Sequence, residues 1–181
     1  MTSTFGLFNL NEHDFNKLSV LIKKECGINL KMSQRMTLQH RLQKRLRELG
    51  VTTFQEYREF LDTTHGQHKE LVYLIDSVTT NTTQFFREKD HFNVLGKNIL
   101  PEFCDNPHIT LWSSPCSSGE EPYSLAMLIS EFKRRHRHNS SMDFQILASD
   151  ISQSVLNKAQ QGCYPIDLID PIPPEYQQRY L

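Results

Sequence analysis

Apolar residues in this chain recur at helical spacing as far as about Thr80, and from His108 they gather into short runs flanking an amphipathic stretch. Spacings of three and four residues bury one stripe of a helix, whereas a compact apolar run suits a strand covered on both faces. The two patterns imply two folding regimes in series: a small all-α domain and then an α/β domain.

Local signals fill in the first regime. Asn11 is placed to cap a helix carrying Phe15, Leu18, Leu21 and Ile22, which Gly27 stops. Ser33 is expected to cap a second, with Leu38, Leu42, Leu46 and Leu49 on one face and Gly50 at its end. Thr53 and Glu56 have the form of a capping box for a helix carrying Phe54, Tyr57, Phe60 and Leu61. A fourth helix is expected from near His68 to Ser77, burying Leu71, Leu74 and Ile75. The polar run from Thr79 to Thr83 reads as a linker. A helical pattern then resumes through Phe85, Phe86, His91, Phe92, Leu95 and Ile99 to Pro101.

The second regime reads strand, helix, strand, helix. HITLWSSP forms a buried strand ending in a loop of small residues, and a helix from about Glu120 carries Leu125, Leu128, Ile129 and Phe132. Residues 133–141 are expected to form a surface turn before FQILASD, a second buried strand. Ser152 then caps a helix that Gly162 stops, and the proline-bearing tail is loop with one short helix near Pro174. This is how a doubly wound, Rossmann-like sheet begins. The expected division is residues 1–80 (helical), 81–106 (linker and lead-in helix) and 107–181 (start of the sheet domain).

Composition narrows the function classes. The net charge of −1 gives no global field for nucleic acid. No apolar run approaches the roughly 18 residues needed to span a bilayer, and the N-terminus has no export pattern, so a cytoplasmic location is expected. Cys26, Cys104, Cys116 and Cys163 form no CxxC pair, so neither a metal site nor a disulfide framework is expected. Charge is uneven, however: Lys31, Arg35, Arg41, Lys44, Arg45 and Arg47 fall within one stretch whose only acid is Glu48. Such a stripe is either a solvated helix face or a docking face for an acidic partner.

Three features could carry chemistry. The loop SSPCSSGEEP lies between strand and helix; small residues allow close backbone approach, and its glutamates could equally do no more than complement the helix dipole. Asp150 follows the second strand, where open α/β sheets bind ligands, and could also be a turn or capping aspartate. TTNTTQFFRE could be a helix start with an exposed ion pair.

Together, TTNTTQFFRE, LWSSPCSSGEEPYSLAM and ASDISQSVLNKAQQGCYP, in this order, resemble the CheR-type chemotaxis receptor methyltransferases. CGINL and RLQKRLRELG are similar to that family's helical domain. The resemblance implies S-adenosylmethionine as cofactor, S-adenosylhomocysteine as product and methyl esterification of receptor glutamates. By family position Arg87 holds the cofactor carboxylate and is the catalytic residue, with Asn81 and Thr83 nearby. Glu121 takes the ammonium, Asp150 the ribose hydroxyls, and Gly119 lets the loop pass close. The acceptor carboxylate, with an ordinary pKa of about 4.3, is ionised at neutral pH and needs no general base. The resemblance also implies that Arg41, Lys44, Arg45 and Arg47 dock on the helical cytoplasmic bundle of methyl-accepting receptors. No nucleic-acid partner or direct membrane insertion is expected; IPPEY lacks the preceding acid or amide that base methyltransferases show. Only two strands are visible, and the family continues beyond this point. A half-sheet is expected to expose an edge, favour self-association and be weakly active or inactive. The alternative is an inactive fragment or binding module that docks through its basic helix.

Overall fold

The structure, a computed structural model, describes residues 7–104, 106–136 and 143–181, with side chains throughout except at 64–68. It comprises two compact units, Met1–Thr79 and Thr80–Leu181.

The first unit is helical, as the spacing predicts. Helix α1 spans Glu12–Cys26, α2 Arg35–Leu49, α3 Phe54–Leu61 and α4 Thr64–Val78. Its core joins Phe15, Leu18 and Ile22 to Leu38, Leu42 and Leu46, with Phe54, Tyr57, Leu61 and Leu74 closing it. Each such side chain gains about 1.5–3 kcal/mol from leaving water. Asn11 caps α1, accepting from the Asp14 N–H at 2.8 Å. Ser33 does not cap α2: it lies inside a 3-10 turn, Met32–Gln34, where Gln34 Oε1 accepts the Lys31 N–H at 2.8 Å and takes over the polar work. Thr53 does cap α3, but the Glu56 carboxylate reaches back to the N–H of Thr52 at 2.6 Å, one residue earlier than a standard box. Those bonds hold the Glu56 carboxyl below its ordinary pKa, the Thr52 backbone contributing most. Helix α4 starts four residues before the expected His68.

Two glutamines on α2 have a role that no sequence pattern announces. Gln39 and Gln43 are buried, and their side chains bind the backbone of Leu10 and Phe8. They satisfy a segment entering the core without helix or sheet partners of its own.

In the second unit, α5 is shorter than its pattern suggests. It covers Lys89–Val94 and runs into a π-helical turn, Leu95–Ile99, and a 3-10 turn, Leu100–Phe103. Phe85 and Phe86 belong to no helix. They form a turn buried against Met127, Ile172 and Tyr176, because tertiary burial outweighs continuation of the helix.

Strand β1 (His108–Ser113) pairs in parallel with β2 (Asp143–Ala148), in register from His108–Asp143 to Ser113–Ala148. Helix α6, Glu120–Arg135, lies between them in sequence, and α7, Gln153–Gln161, follows β2 from its cap at Ser152. The strands were expected to be buried on both faces. Ile109, Leu111, Phe144 and Ile146 do pack on Leu100, Ile129 and Phe132, but Trp112 is 71% and Leu147 49% exposed. Among the described residues, that second face is uncovered. The expected turn after Phe132 is also displaced: Lys133 to Arg135 complete α6, and residues 137–142 lie outside the described residues.

Helix α8, Pro174–Tyr180, is tied down by a carboxylate that the sequence did not flag. Glu131, buried on α6, accepts from Arg134 at 2.9 Å, from Arg179 and from Tyr180 Oη at 3.1 Å. Arg134 above all, then Arg179 and Tyr180, hold its carboxyl down at about 2.

Candidate functional site

The parallel pairing continues past the strands: Ser149 N donates to Ser113 O at 3.1 Å and Cys116 N to Ser149 O at 2.9 Å. The loop after β1 is therefore docked beside the residues after β2, at the carboxyl end of the sheet.

Asp150 joins the two. One carboxylate oxygen accepts the Ser117 N–H at 2.8 Å and the other the Ser152 N–H at 2.9 Å. The bond to the residue two further on is the turn role that the sequence allowed; the cap of α7 itself is Ser152. The two bonds to Asp150 leave it further acceptor capacity, since a carboxylate offers about four lone-pair positions. Ser117 Oγ also donates to the Asn81 carbonyl at 3.2 Å, so the linker is drawn onto the same loop. Thr83 lies half-buried two residues further on.

Gly119 is needed for packing. Its φ is 101°, and a Cβ there would sit 2.5 Å from Tyr164 Oη and 3.0 Å from Ala159 Cα. The space beside it is filled by protein, including the Tyr164 hydroxyl that donates to Ser118 O at 2.7 Å.

The paired glutamates have different surroundings. Glu120 is buried and accepts from Ser118 Oγ at 2.8 Å, whereas Glu121 is exposed and accepts from Ser113 Oγ, at the end of β1, at 2.7 Å. Glu121 and Arg87 line one cavity of about 340 Å³ together with Glu88, His91, Phe92, Leu95 and Leu125. That volume lies within the roughly 300–1,000 Å³ range of small-molecule sites. Asp150 is not in its lining. The Arg87 guanidinium donates to the Thr82 carbonyl at 2.8 Å and is otherwise exposed. Sequence reasoning missed Ser113, Ser117, Glu88 and His91; Ser113 and Ser117 had a signal, being small polar residues at the end of a strand that feeds the loop.

Cys116 offers no nucleophile. It is buried, and burial first, then the Asp150 charge, push its thiol pKa up.

The basic stripe is not uniform. Arg45 is engaged within its own unit, with Nη2 2.6 Å from the buried Glu70 carboxylate and its guanidinium 4.6 Å from the Tyr73 ring. Arg41 donates to the carbonyls of Ser77 and Thr79 at 2.9 and 3.1 Å, capping the end of α4. Arg47 is exposed, and Lys44, 83% exposed, is 3.6 Å from Glu48.

A strand, a loop of small residues, a helix and a parallel strand leading to an aspartate, all preceded by a helical unit, define a Rossmann-like α/β protein with an all-α N-terminal domain. Residues 81–181 match the S-adenosylmethionine-binding domain model of CheR methyltransferases, and residues 13–79 match the all-α domain model of the same enzymes. The chain belongs to the CheR methyltransferase family. It is 38% identical to a chemotaxis protein methyltransferase of Borreliella burgdorferi, over 100% of this chain and 66% of the relative. It is 35% identical to chemotaxis protein methyltransferase 1 of Pseudomonas aeruginosa, over 92% and 62%. With the Escherichia coli chemotaxis protein methyltransferase it shares 36% over 94% and 57%. The chain thus spans between 57% and 66% of the length of these three curated relatives. Among the described residues, no helix is long and apolar enough to cross a membrane.

Proposed function

We propose that this protein binds S-adenosylmethionine beyond the carboxyl ends of β1 and β2 and serves methyl transfer to glutamate side chains of chemotaxis receptors in the cytoplasm. The observation that carries the reading is the shared cavity of Arg87 and Glu121. A cation and an anion on one wall match the carboxylate and ammonium of the cofactor's amino-acid part, and a planar guanidinium suits a carboxylate especially well. Asp150, with acceptor positions to spare, takes the ribose hydroxyls, and Asn81 and Thr83 line the approach from the linker.

The bound cofactor supplies an electrophilic methyl group on a sulfonium. The chain's own residues supply alignment and a drier environment for two charged reactants. An acceptor glutamate is already ionised at neutral pH, so no side chain here has to remove a proton. The exposed Lys44 and Arg47 form the docking face for the acidic receptor helices, while Arg41 and Arg45 hold the shape of the helix that presents them.

Arg87→Ala is expected to weaken S-adenosylhomocysteine binding by about a factor of ten or more, the loss of one charge-assisted pair. Arg87→Lys should recover only part of it. Calorimetric titration measures both. Transfer of labelled methyl to receptor-enriched membranes tests the acceptor; labelling of lipid or nucleic acid in place of receptor glutamates overturns the assignment.

A further inference from the structure

Arg87 stands between two residues with left-handed backbone, Phe86 at φ 50° and Glu88 at φ 57°. That conformation is disfavoured wherever a Cβ is present, and it persists only where the surroundings fix it. One of the fixings is a single hydroxyl. Ser124 Oγ accepts the Phe86 N–H at 2.9 Å and donates to the Glu120 carbonyl at 2.6 Å, at a position with no exposure to solvent. Serine is a poor choice for a helix interior, where its hydroxyl competes for the backbone. Among the described residues, no other side-chain hydrogen bond joins the backbone of the Arg87 turn to α6. Ser124 lies one turn along α6 from Glu121, the other charged residue of the cavity.

We propose that Ser124 is a positioning residue: it locks the Arg87 turn to α6, which carries Glu121, so that guanidinium and carboxylate keep fixed places in the cavity for the two charged groups of an amino-acid zwitterion. This rests on the reading of the cavity given above. Without the hydroxyl the buried Phe86 N–H has no acceptor, and the turn is free to relax away from its left-handed form. Arg87 and Glu121 then remain present but out of step. The nucleoside part of the ligand, held elsewhere, is unaffected.

The test compares two ligands on the intact chain by titration to millimolar concentration: S-adenosylhomocysteine, which carries the amino-acid group, and 5′-methylthioadenosine, which lacks it. In Ser124→Ala the affinity for the first is expected to fall about tenfold, and that for the second to change by less than about twofold. Ser124→Cys keeps the volume with a much weaker acceptor; it should shift the ratio the same way and serves if the alanine variant does not fold. Ile129→Val, a core change on the same helix, should leave the ratio alone. Equal losses for both ligands, or no loss, in the Ser124 variants overturn the proposal. If the unaltered protein does not prefer S-adenosylhomocysteine, or keeps its preference in Arg87→Ala, the underlying reading of the cavity fails and the proposal falls with it.

Discussion

Gly119 and Asp150 illustrate how far a residue's identity can be read in advance. The spacing puts Gly119 at the start of α6 and Asp150 just past the second strand, and the structure has them at the N-terminus of α6 and two residues after β2. Their immediate partners were not legible, because both are set by contacts made across the loop: Tyr164 and Ala159 for the glycine, Ser117 and Ser152 for the acid. Gly119→Ala should therefore act first on stability. A Cβ meeting Tyr164 Oη at 2.5 Å, on a backbone at φ 101°, is expected to cost about 2 kcal/mol, measured as a lower denaturation midpoint without ligand. A variant as stable as the parent would mean that the loop has room that these contacts deny it.

At the scale of elements, helices with strong periodicity and a good cap are found where the spacing puts them, as α1 between Asn11 and Gly27 demonstrates. Errors fall where tertiary burial competes with local preference, as at Phe85 and Phe86, or where a neighbouring side chain takes the capping bond, as at Ser33. The docking of α8 was invisible for a different reason. It depends on Glu131 meeting Arg179, 48 residues away, and no local pattern encodes that pairing. Its consequence is a defined acid sensitivity. The Glu131 carboxyl is depressed to about 2 from an ordinary value of 4.5, so it favours the folded state fully above the ordinary value. That contribution fades as pH falls from about 4.5 towards 2. Amide exchange or limited proteolysis of the segment 174–181 should rise across this window, and Glu131→Gln should show loosened docking already at pH 7. Protection of that segment that does not change between pH 5 and 2.5 would count against the role given to Glu131.

Among the described residues the apolar core falls into three clusters: one built from α1 to α4 in the first unit, and two in the second, around Phe86 and around Ile129. In the first unit, the buried Glu70 accepts from Arg45 and, at 2.9 Å, from Tyr57 Oη, whose ionisation is pushed up chiefly by burial and further by the Glu70 charge. Glu70→Gln removes the buried one of the two carboxylates paired with Arg45, leaving only the more exposed Glu48 at 3.2 Å. Because Arg45 is still 26% exposed, the expected cost is nearer about 2 kcal/mol than the full penalty of a broken buried pair. Exchange mapped along the chain should rise in α1 to α4 and stay unchanged in β1 and α6. A uniform rise would show that the two units unfold as one.

The order of elements, the division between a helical and an α/β part, and the motif that marks the family were all written in the chain's periodicity and in a few contiguous residues. These are local properties, and backbone geometry converts them directly into helices, strands and turns. The tertiary structure alone decided that Arg45 reaches the buried Glu70 and Arg41 the end of α4, while Lys44 and Arg47 stay on the exposed face. It alone brought Arg87 and Glu121 to the lining of one cavity and gave Ser124 its partners. Each of these outcomes depends on which distant group reaches a polar atom once water is excluded, and a linear spacing carries no record of that.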